Sequence, residues 1–206
     1  MRSEPLPPLP NISAILLAAG RSRRMGRAKP FLELQSVTFV QVILARLRDA
    51  GFRDIVVVTN PAHAESYQRL NLDGARMIPN EAIEKGMLHS LKLGIRAVPE
   101  TSHHALVTPV DMPSIRTSTF REAGDWALQE EDKIIRVCYQ DRHGHPVVFP
   151  RRMFSEILEW DGQGGPREFV NEREDEVHDL LVSDGGAVRD YDTPEEYQNL
   201  RRETKS

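Results

Sequence analysis

Short, nearly continuous apolar segments alternate with longer amphipathic ones along the chain, and this alternation constrains the fold most strongly. Residues 12–18 read Ile-Ser-Ala-Ile-Leu-Leu-Ala, and residues 55–59 read Ile-Val-Val-Val-Thr. Such runs are typical of strands that are buried on both faces of a sheet. A helix that stops before Gly51 is predicted between them, because apolar residues recur at the spacing of one helical face: Val40, Ile43, Leu44 and Leu47.

The same alternation continues over most of the remaining chain. It predicts strands over residues 75–78, 105–110, 133–139 and 146–149, and helices over residues 62–70, 119–128, 153–159 and 166–172. A last helix opens at Thr193, where Thr-Pro-Glu-Glu is a capping box with proline at the first helical position. Strands separated by helices form βαβ units. The expected fold is therefore α/β, a three-layer Rossmann-like arrangement of a mostly parallel sheet with helices on both faces and a small β-hairpin addition.

Length and composition indicate one domain. The 206 residues suffice for a substantial core, and residues 1–10 are expected to be a flexible proline-rich tail before a single domain over residues 11–206. No apolar run approaches the roughly 20 residues that span a membrane, and the proline-rich start has no signal-peptide core. A cytoplasmic protein without a membrane partner is expected. The single cysteine, Cys138, excludes an internal disulfide and a multi-cysteine metal site.

The distribution of charge points to an anionic ligand. The formal net charge is −4, which argues against a dedicated nucleic-acid binder. Residues 21–29 nevertheless carry five basic side chains and no acidic one. This segment follows the most apolar strand directly and is interleaved with Gly, Ala and Met, which favours a ligand site over a solvated basic loop. A nucleic-acid-binding loop stays an alternative, and it would show affinity that falls steeply with salt.

The loop over residues 18–30 lies where ligands bind in open parallel sheets, beyond the C-terminal end of a strand. Gly20 and Gly26 lack the spacing of a dinucleotide-binding fingerprint, and no Gly-Lys-Ser/Thr follows as in a Walker A loop. The two glycines let the backbone approach a ligand, while Arg24 and Lys29 offer positive charge to phosphate oxygens.

Five short motifs, spread over residues 12–197, support a family resemblance. They are Leu17-Ala-Ala-Gly20 followed by Arg24-Met25-Gly26 and Lys29; Asn80-x5-Gly86-Met87-x2-Ser90; Val110-Asp111-Met112-Pro113; Gly144-His145-Pro146; and Asp190-Tyr191-Asp192-Thr193-Pro194. Each is weak alone. In this order the chain resembles the MobA-like NTP transferases, and among them the MocA-type molybdenum cofactor cytidylyltransferases.

The resemblance implies a nucleotidyltransferase fold and a Mg2+-dependent reaction. A nucleoside monophosphate, CMP from CTP, would move to a phosphorylated acceptor, molybdopterin or molybdenum cofactor, with release of pyrophosphate. A molybdoenzyme client is a further implied partner. The implied catalytic residues are Lys29, Arg24 and Asp111; the metal ligands Asp111 and Asp192; the nucleotide contacts Leu17, Ala18, Ala19, Gly20, Arg24, Lys29, Asn80, Gly86 and Ser90; and the acceptor contacts His145 and Arg167.

Each of these residues also has a structural interpretation. Asp111 follows a predicted buried strand, which places it at the sheet edge, but aspartate is equally common in turns and helix caps. Asp192 immediately precedes a capped helix. His145 at a strand start is more often structural than functional, and the glycine-rich residues 161–167 form at least a turn. The stripe Met87, Leu88, Leu91 and Ile95 is expected to pack in the core, and His89, His103 and His104 lack metal-ligand spacing.

Two other functions stay open. One is a nucleotidyltransferase that uses another NTP and a sugar phosphate or similar acceptor, since His89 and Thr108-Pro109 depart from the family pattern. The other is a noncatalytic nucleotide-binding accessory protein for metalloenzyme maturation. The presence of both Lys29 and Asp111 favours an enzyme, provided that the two side chains face each other across one cleft.

Overall fold

The computed structural model describes residues 6–22, 25–162 and 164–204. Its strands are β1 (Ile12–Ala18), β2 (Glu33–Leu34), β3 (Val37–Thr38), β4 (Asp54–Thr59), β5 (Arg76–Pro79), β6 (His104–Pro109), β7 (Ile134–Tyr139), β8 (Arg142–Pro150) and β9 (Val177–Leu181). Its α-helices are α1 (Phe39–Asp49), α2 (Ala64–Gln68), α3 (Gly86–Ala97), α4 (Thr117–Gln129), α5 (Phe154–Glu159), α6 (Pro166–Asn171) and α7 (Pro194–Glu203). None of the described helices is long and apolar enough to cross a bilayer.

One sheet organises the molecule, with the strand order β5-β4-β1-β6-β8-β7-β9. Strands β5, β4, β1 and β6 run parallel to one another. Strands β7 and β8 form an antiparallel hairpin that pairs with β6 on one side and with the parallel strand β9 on the other. The predicted α/β fold is confirmed. The hairpin, however, lies inside the sheet, because β9 adds a further strand beyond it.

Strand β1 is buried along its entire length because helices cover both faces of the sheet. Ala14 and Leu16 point into a core shared with α1, α4 and α7, whereas Ile15 and Leu17 point into a second core shared with α3, α5 and α6. Burial of one Leu or Ile side chain is worth about 1.5–3 kcal/mol. A strand at the centre of both cores is therefore held firmly, and the loop that leaves it starts from a fixed point.

Helix α3 packs unusually close to β1. A Cβ atom built on Gly94 would lie 2.5 Å from Ile15 Cγ2, so only glycine permits this approach without a shift. The close contact sets the position of the first turn of α3 relative to the end of β1. Residues at that turn therefore take part in the same cavity as the loop after β1.

The packed region begins earlier than residue 11. The amides of Leu6 and Leu9 donate hydrogen bonds to the carbonyls of Asp49 and Gly51, at 3.1 and 3.0 Å. Leu9 is only 4% exposed, in the core formed with α1 and α4. The second half of the predicted tail thus belongs to the packed domain, since both amides bond to the end of α1 and its following turn and Leu9 is buried; residues 1–5 lie outside the described residues.

Candidate active site

A cavity of about 450 Å3 opens at the C-terminal ends of β1 and β6. Its lining combines the loop after β1, the start of α3, the end of β6 and the residue before the α7 cap: Leu17, Ala18, Ala19, Gly20, Arg21, Ser22, Lys29, Pro30, Ile83, Gly86, Met87, Ser90, Pro109, Val110, Asp111 and Asp192. This is the edge at which open α/β sheets bind ligands.

Lys29 lies at the centre of the charged part of this cavity. Its Nζ donates a hydrogen bond to Asp111 Oδ2 at 2.8 Å and a second one to Asp192 Oδ1. The three side chains come from distant parts of the chain, and each is less than one-third exposed. The condition that Lys29 and Asp111 face each other in one cleft is met.

The two carboxylates keep Lys29 charged. Burial acts to lower the pKa of its ammonium group, but attraction by Asp111 and hydrogen bonds to Asp111 and Asp192 outweigh that effect. The pKa of Lys29 is therefore raised above its ordinary value of 10.5. A lysine held in this way is a permanent cation at neutral pH, suited to phosphate oxygens.

Local structure fixes the position of each of the three residues. Lys29 opens a 3-10 turn over Lys29–Phe31, and its backbone amide donates to Ser22 Oγ at 2.9 Å. The carbonyl of Asp111 accepts a hydrogen bond from the Tyr191 amide at 3.0 Å, which ties the loop after β6 to the approach to α7.

The capping box of α7 holds Asp192. Thr193 is the N-cap, and its Oγ1 accepts from the Glu196 amide at 3.3 Å. Glu196 Oε2 in turn accepts from the amides of Thr193 and Asp192, at 2.8 and 2.9 Å. The predicted capping box is thus present, and it orients the backbone that carries the Asp192 carboxylate.

The carboxylates of Asp111 and Asp192 fit a divalent metal ion. Both reach the same Lys29 ammonium group, so their oxygens converge on a single point in the cavity. Mg2+ and Mn2+ prefer oxygen donors, and Mg2+ is typically held by one or two carboxylates together with substrate phosphates. Lys29 is the counter-ion of this pair in the structure.

Most of the predicted nucleotide contacts line the cavity. Among the described lining residues, Asn80 is missing: its Nδ2 donates to Ser90 Oγ at 2.9 Å, and its Oδ1 accepts from the Ala82 amide at 2.9 Å. Asn80 turns back on its own loop as the chain leaves β5, so it is buried and supports Ser90 from behind. Arg24 lies outside the described residues.

A second cavity of about 210 Å3 adjoins the first, and both are lined by Leu17 and Met87. It is walled mainly by apolar side chains, among them Val147, Phe149 and Val170, and it contains both predicted acceptor contacts, His145 and Arg167. The structure therefore brings these two residues together, next to the first cavity.

His145 is a neutral imidazole in this wall. Burial lowers its pKa, and a backbone hydrogen bond with Val107 and the charges of Asp111 and Asp190 only partly oppose that effect. Its buried Nδ1 has no hydrogen-bond partner among the described residues. The residue lines the cavity, but this nitrogen itself is shielded from solvent.

The expectation that Met87 packs in the core is wrong. Leu91 and Ile95 are buried, but Met87 is 53% exposed. It lies in the first turn of α3, where the helix passes the end of β1, so its side chain borders the two cavities instead of the sheet. Helical spacing identified the face of α3 correctly but not the point at which that face leaves the core.

The second cavity is also lined by two polar residues that the sequence pattern did not single out. Arg136 and His143 line it, from β7 and β8. A signal was present for Arg136, which stands in the middle of the apolar run Ile-Ile-Arg-Val-Cys. A charged residue within a buried strand requires a partner, and this one has two, Glu174 and Asp179.

Comparison with known proteins identifies related chains. The sequence pattern of the MobA-like NTP transferase domain matches residues 14–177. Nicotine blue oxidoreductase from Paenarthrobacter nicotinovorans is 27% identical, over 93% of this chain and 97% of its own length. A probable molybdenum cofactor guanylyltransferase from Nostoc sp. is 30% identical, over 75% of this chain and 73% of its own length.

Solved structures agree over nearly the whole chain. Rv0371c from Mycobacterium tuberculosis has a TM-score of 0.82 at 28% identity, covering 94% of this chain and 99% of its own. A structure of the same protein in complex with manganese has a TM-score of 0.79 at 26% identity, covering 93% of this chain and 98% of its own.

Proposed function

The chain belongs to the MobA-like NTP transferase family, and from this membership we propose that it transfers CMP from CTP to the phosphate group of molybdopterin or molybdenum cofactor, with Mg2+ as the metal and pyrophosphate as the second product. A molybdoenzyme that receives the product is the proposed client.

The meeting of Lys29, Asp111 and Asp192 is the observation that carries this proposal. Removing three charged groups from water costs free energy that a structural role does not readily recover. Such a cluster at the ligand-binding edge of an α/β sheet is typical of a functional site. Its mixed charge suits a substrate that brings phosphates together with a divalent cation.

The geometry of the loop after β1 supports the proposal that a triphosphate binds beside this cluster. A Cβ atom at Gly20 would meet nothing within 4 Å, so the backbone borders open space there. Gly86, at the start of α3, has a φ of +81°, a conformation that favours glycine, and it also borders open space. We place the phosphates along residues 18–20 and Lys29, and the base toward Gly86 and Ser90.

The lining of the second cavity supports the proposal that the acceptor binds there. Its apolar wall suits a flat heterocycle, and Arg167 and the neutral His145 would meet the polar groups of that ring and its phosphate. Leu17 and Met87, common to both cavities, mark the place where the acceptor phosphate would meet the nucleotide.

In the reaction, an oxygen of the acceptor phosphate forms a bond to the α-phosphorus of CTP. The bond from that phosphorus to the bridging oxygen breaks, and pyrophosphate leaves with the electron pair. The acceptor phosphate is already ionised at neutral pH, so no side-chain base is required. Lys29 supplies positioning and fixed positive charge. Mg2+ held by Asp111 and Asp192 would supply further neutralisation of phosphate charge.

The choice of CTP rests on the form Ala18-Ala19-Gly20 and on Val-Asp-Met-Pro at residues 110–113. The Nostoc relative, in contrast, is named as a guanylyltransferase. GTP is therefore the competing nucleotide, and the test must compare the two directly.

Pyrophosphate release in the presence of a molybdopterin-containing extract, Mg2+ and each of CTP, GTP, ATP and UTP tests the proposal. We expect release with CTP, a loss of about 10²–10³-fold in rate for Lys29→Ala, and no metal-dependent turnover for Asp111→Asn. The control is Lys133→Ala. The Lys133 ammonium group donates a hydrogen bond to the Asp175 carbonyl, and Lys133 does not line the cavity.

Three outcomes would contradict parts of the proposal. Release with GTP alone would reassign the nucleotide. An unchanged rate in Lys29→Ala would remove that lysine from the reaction. No release with any nucleotide would support the noncatalytic accessory function, or an oxidoreductase activity such as the name of the Paenarthrobacter relative states.

A further inference from the structure

Three side chains with metal-binding chemistry converge on the three strands at one edge of the sheet: Cys138 on β7, His143 on β8 and Asp179 on β9. One ligand atom of each lies within 4.8 Å of the other two. Cys138 Sγ donates a hydrogen bond to Asp179 Oδ1 at 3.2 Å. Cys138 is buried, whereas the other two side chains are exposed, so an ion in solution can reach the cluster.

An irregularity in the hairpin creates this arrangement. Arg136 pairs with Val147, but two residues later Cys138 pairs with His143, four residues back on β8. Regular pairing would place His145 opposite Cys138. The bulge instead brings His143 to the thiol, and His145 faces the Val107 carbonyl. Bulges often redirect a side chain beside a functional site.

Gly144 makes the bulge possible. A Cβ atom there would lie 2.0 Å from the Ala187 carbonyl oxygen, so any other residue would push the two segments apart. The bulge is therefore packed against the chain that precedes α7. The pairing of His143 with Cys138 is thus a fixed feature of the fold.

Arg136 orients the aspartate of the cluster. Its guanidinium group donates to both carboxylate oxygens of Asp179, at 2.6 and 2.9 Å, and to both of Glu174, at 2.9 and 2.8 Å. Metal-binding side chains commonly have such outer hydrogen bonds. Two carboxylates and one guanidinium leave a formal charge of −1, and a thiolate would make it −2. A divalent cation would neutralise the group.

We propose that Cys138, His143 and Asp179 bind Zn2+. Sulfur, nitrogen and carboxylate oxygen are the donors that Zn2+ takes in proteins, and three protein ligands leave one position for water or a substrate atom. Binding forms a sulfur–zinc bond, the thiol proton passes to solvent, and Asp179 exchanges its hydrogen bond from the thiol for a bond to the metal.

This site differs from the one at Lys29 in chemistry and place. Asp111 and Asp192 offer only oxygen atoms, whereas the Cys138 cluster offers a thiol and an imidazole. His143 and Arg136 also line the second cavity, so Zn2+ would lie at the edge of that cavity. The inference does not depend on nucleotidyl transfer.

The thiol must lose its proton for this binding. Burial, followed by the hydrogen bond to Asp179, raises the pKa of Cys138 to about 11. Zn2+ therefore competes with a proton, and binding releases one. For the same reason the free thiol is mostly protonated at neutral pH and is a weak nucleophile.

Cobalt spectroscopy provides a direct test, because Cys138 is the sole cysteine of the chain. We expect titration of the metal-free protein with Co2+ to give a thiolate-to-cobalt charge-transfer band in the near ultraviolet that saturates at one equivalent and disappears on addition of Zn2+. Cys138→Ser should abolish the band. His143→Ala and Asp179→Asn should each weaken cobalt binding by about 10-fold or more.

Matched variants separate the alternatives. His103→Ala removes a histidine next to the last residues of β8, whereas Cys138 pairs near the first residues of that strand, and it should leave the band unchanged. Asp111→Asn should also leave it unchanged, which distinguishes this site from the one at Lys29. Absence of a band at saturating cobalt would overturn the proposal. An equally strong band in both His143→Ala and Asp179→Asn would do so as well, because the thiol alone would then bind. His143 is exposed, so His143→Ala carries little risk to folding.

Discussion

Lys29 shows how one side chain can serve two sets of partners. In the structure its ammonium group lies between the carboxylates of Asp111 and Asp192. A triphosphate with its divalent cation would present the complementary arrangement, metal to carboxylates and phosphate oxygens to lysine. The ion pairs thus hold all three side chains near the positions that the proposed reaction requires, and binding exchanges partners without removing a charge from its counter-charge.

Asn80 shows the opposite case at the same scale. It belongs to a motif that implies a base contact, yet both ends of its amide are engaged by Ser90 and Ala82. Asparagine readily bonds to a backbone amide two residues ahead. From the sequence alone, a residue that touches a ligand and one that supports it from behind are indistinguishable.

His104 leads to a prediction about acid stability. It opens β6, is 2% exposed, and its Nε2 lies 3.1 Å from the Glu131 carbonyl oxygen. Burial and the nearby His103 lower its pKa, and the interactions with Glu131 and Asp132 do not compensate. The folded protein therefore keeps His104 neutral, while the unfolded chain binds a proton near its ordinary pKa of 6.5.

The direction in which stability changes with pH follows from proton binding. Below the unfolded pKa the unfolded state holds the extra proton, so the contribution of His104 to stability is present above that pH and is lost as the pH falls. We expect the free energy of unfolding to fall between about pH 7 and pH 5 less steeply in His104→Gln than in the wild type, by at most about 1.4 kcal/mol per pH unit. Urea unfolding at several pH values measures this. His63→Gln is the control, because His63 is not among the groups that shift the pKa of His104, and parallel curves for the wild type and His104→Gln would contradict the prediction.

At the scale of elements, local signals determined what could be predicted. The apolar runs gave β1 and β4, and the Thr193 capping box gave the start of α7. Strand β9 was missed because Val-His-Asp-Leu-Leu has little apolar pattern. It is a strand because its backbone pairs with β7. The two-residue strands β2 and β3 are likewise too short to leave a pattern.

The bulge in β8 illustrates the same limit within a recognised element. Residues 133–139 and 146–149 were predicted as strands, and both are. The pairing of side chains across the hairpin depends on the contact between Gly144 and Ala187, which are 43 positions apart in the chain. Non-local contacts of this kind set register, so the sequence predicted the hairpin but not the neighbours of Cys138.

The close contact between α3 and β1 leads to a prediction at this scale. Gly94→Ala would place a Cβ atom 2.5 Å from Ile15 Cγ2, so α3 or the Ile15 side chain must shift. Overpacking costs about 1–3 kcal/mol, and the better helix propensity of Ala returns about 1 kcal/mol. We expect a net loss of up to about 2 kcal/mol in stability. We also expect about tenfold weaker CTP binding, because α3 carries Gly86 and Ser90.

Gly124→Ala on α4 is the matched control. Its Cβ atom would lie 2.5 Å from Leu9 Cδ1, on the opposite face of the sheet from α3. We expect it to lower stability without altering CTP binding. Chemical unfolding and titration calorimetry with CTP would measure the two effects, and equal weakening of binding in both variants would show that α3 does not position the nucleotide.

At the scale of the whole molecule, the candidate site joins segments that are distant in sequence. The cavity draws on β1 and its loop, α3, the end of β6 and the approach to α7. The α/β fold and this convergence followed from the order of the strands and from the rule that their C-terminal ends share one edge. The identity of the base did not follow, because it depends on contacts of the backbone and of side chains whose direction no local pattern specifies.

A ligand that bridges these segments should stabilise the entire fold. A ligand that binds only the native state, at a concentration 100 times its Kd, adds about 2.7 kcal/mol, and each kcal/mol raises the Tm of a domain of 150–250 residues by about 2–4 °C. We therefore expect CTP with Mg2+ to raise the Tm by about 5–10 °C, and GTP, ATP and UTP to raise it less. Asp111→Asn should lose the part of the shift that depends on Mg2+, whereas Lys133→Ala should retain it. Equal shifts with all four nucleotides would show that the cavity recognises phosphates but not the base, and a larger shift with GTP would reverse the assignment to CTP.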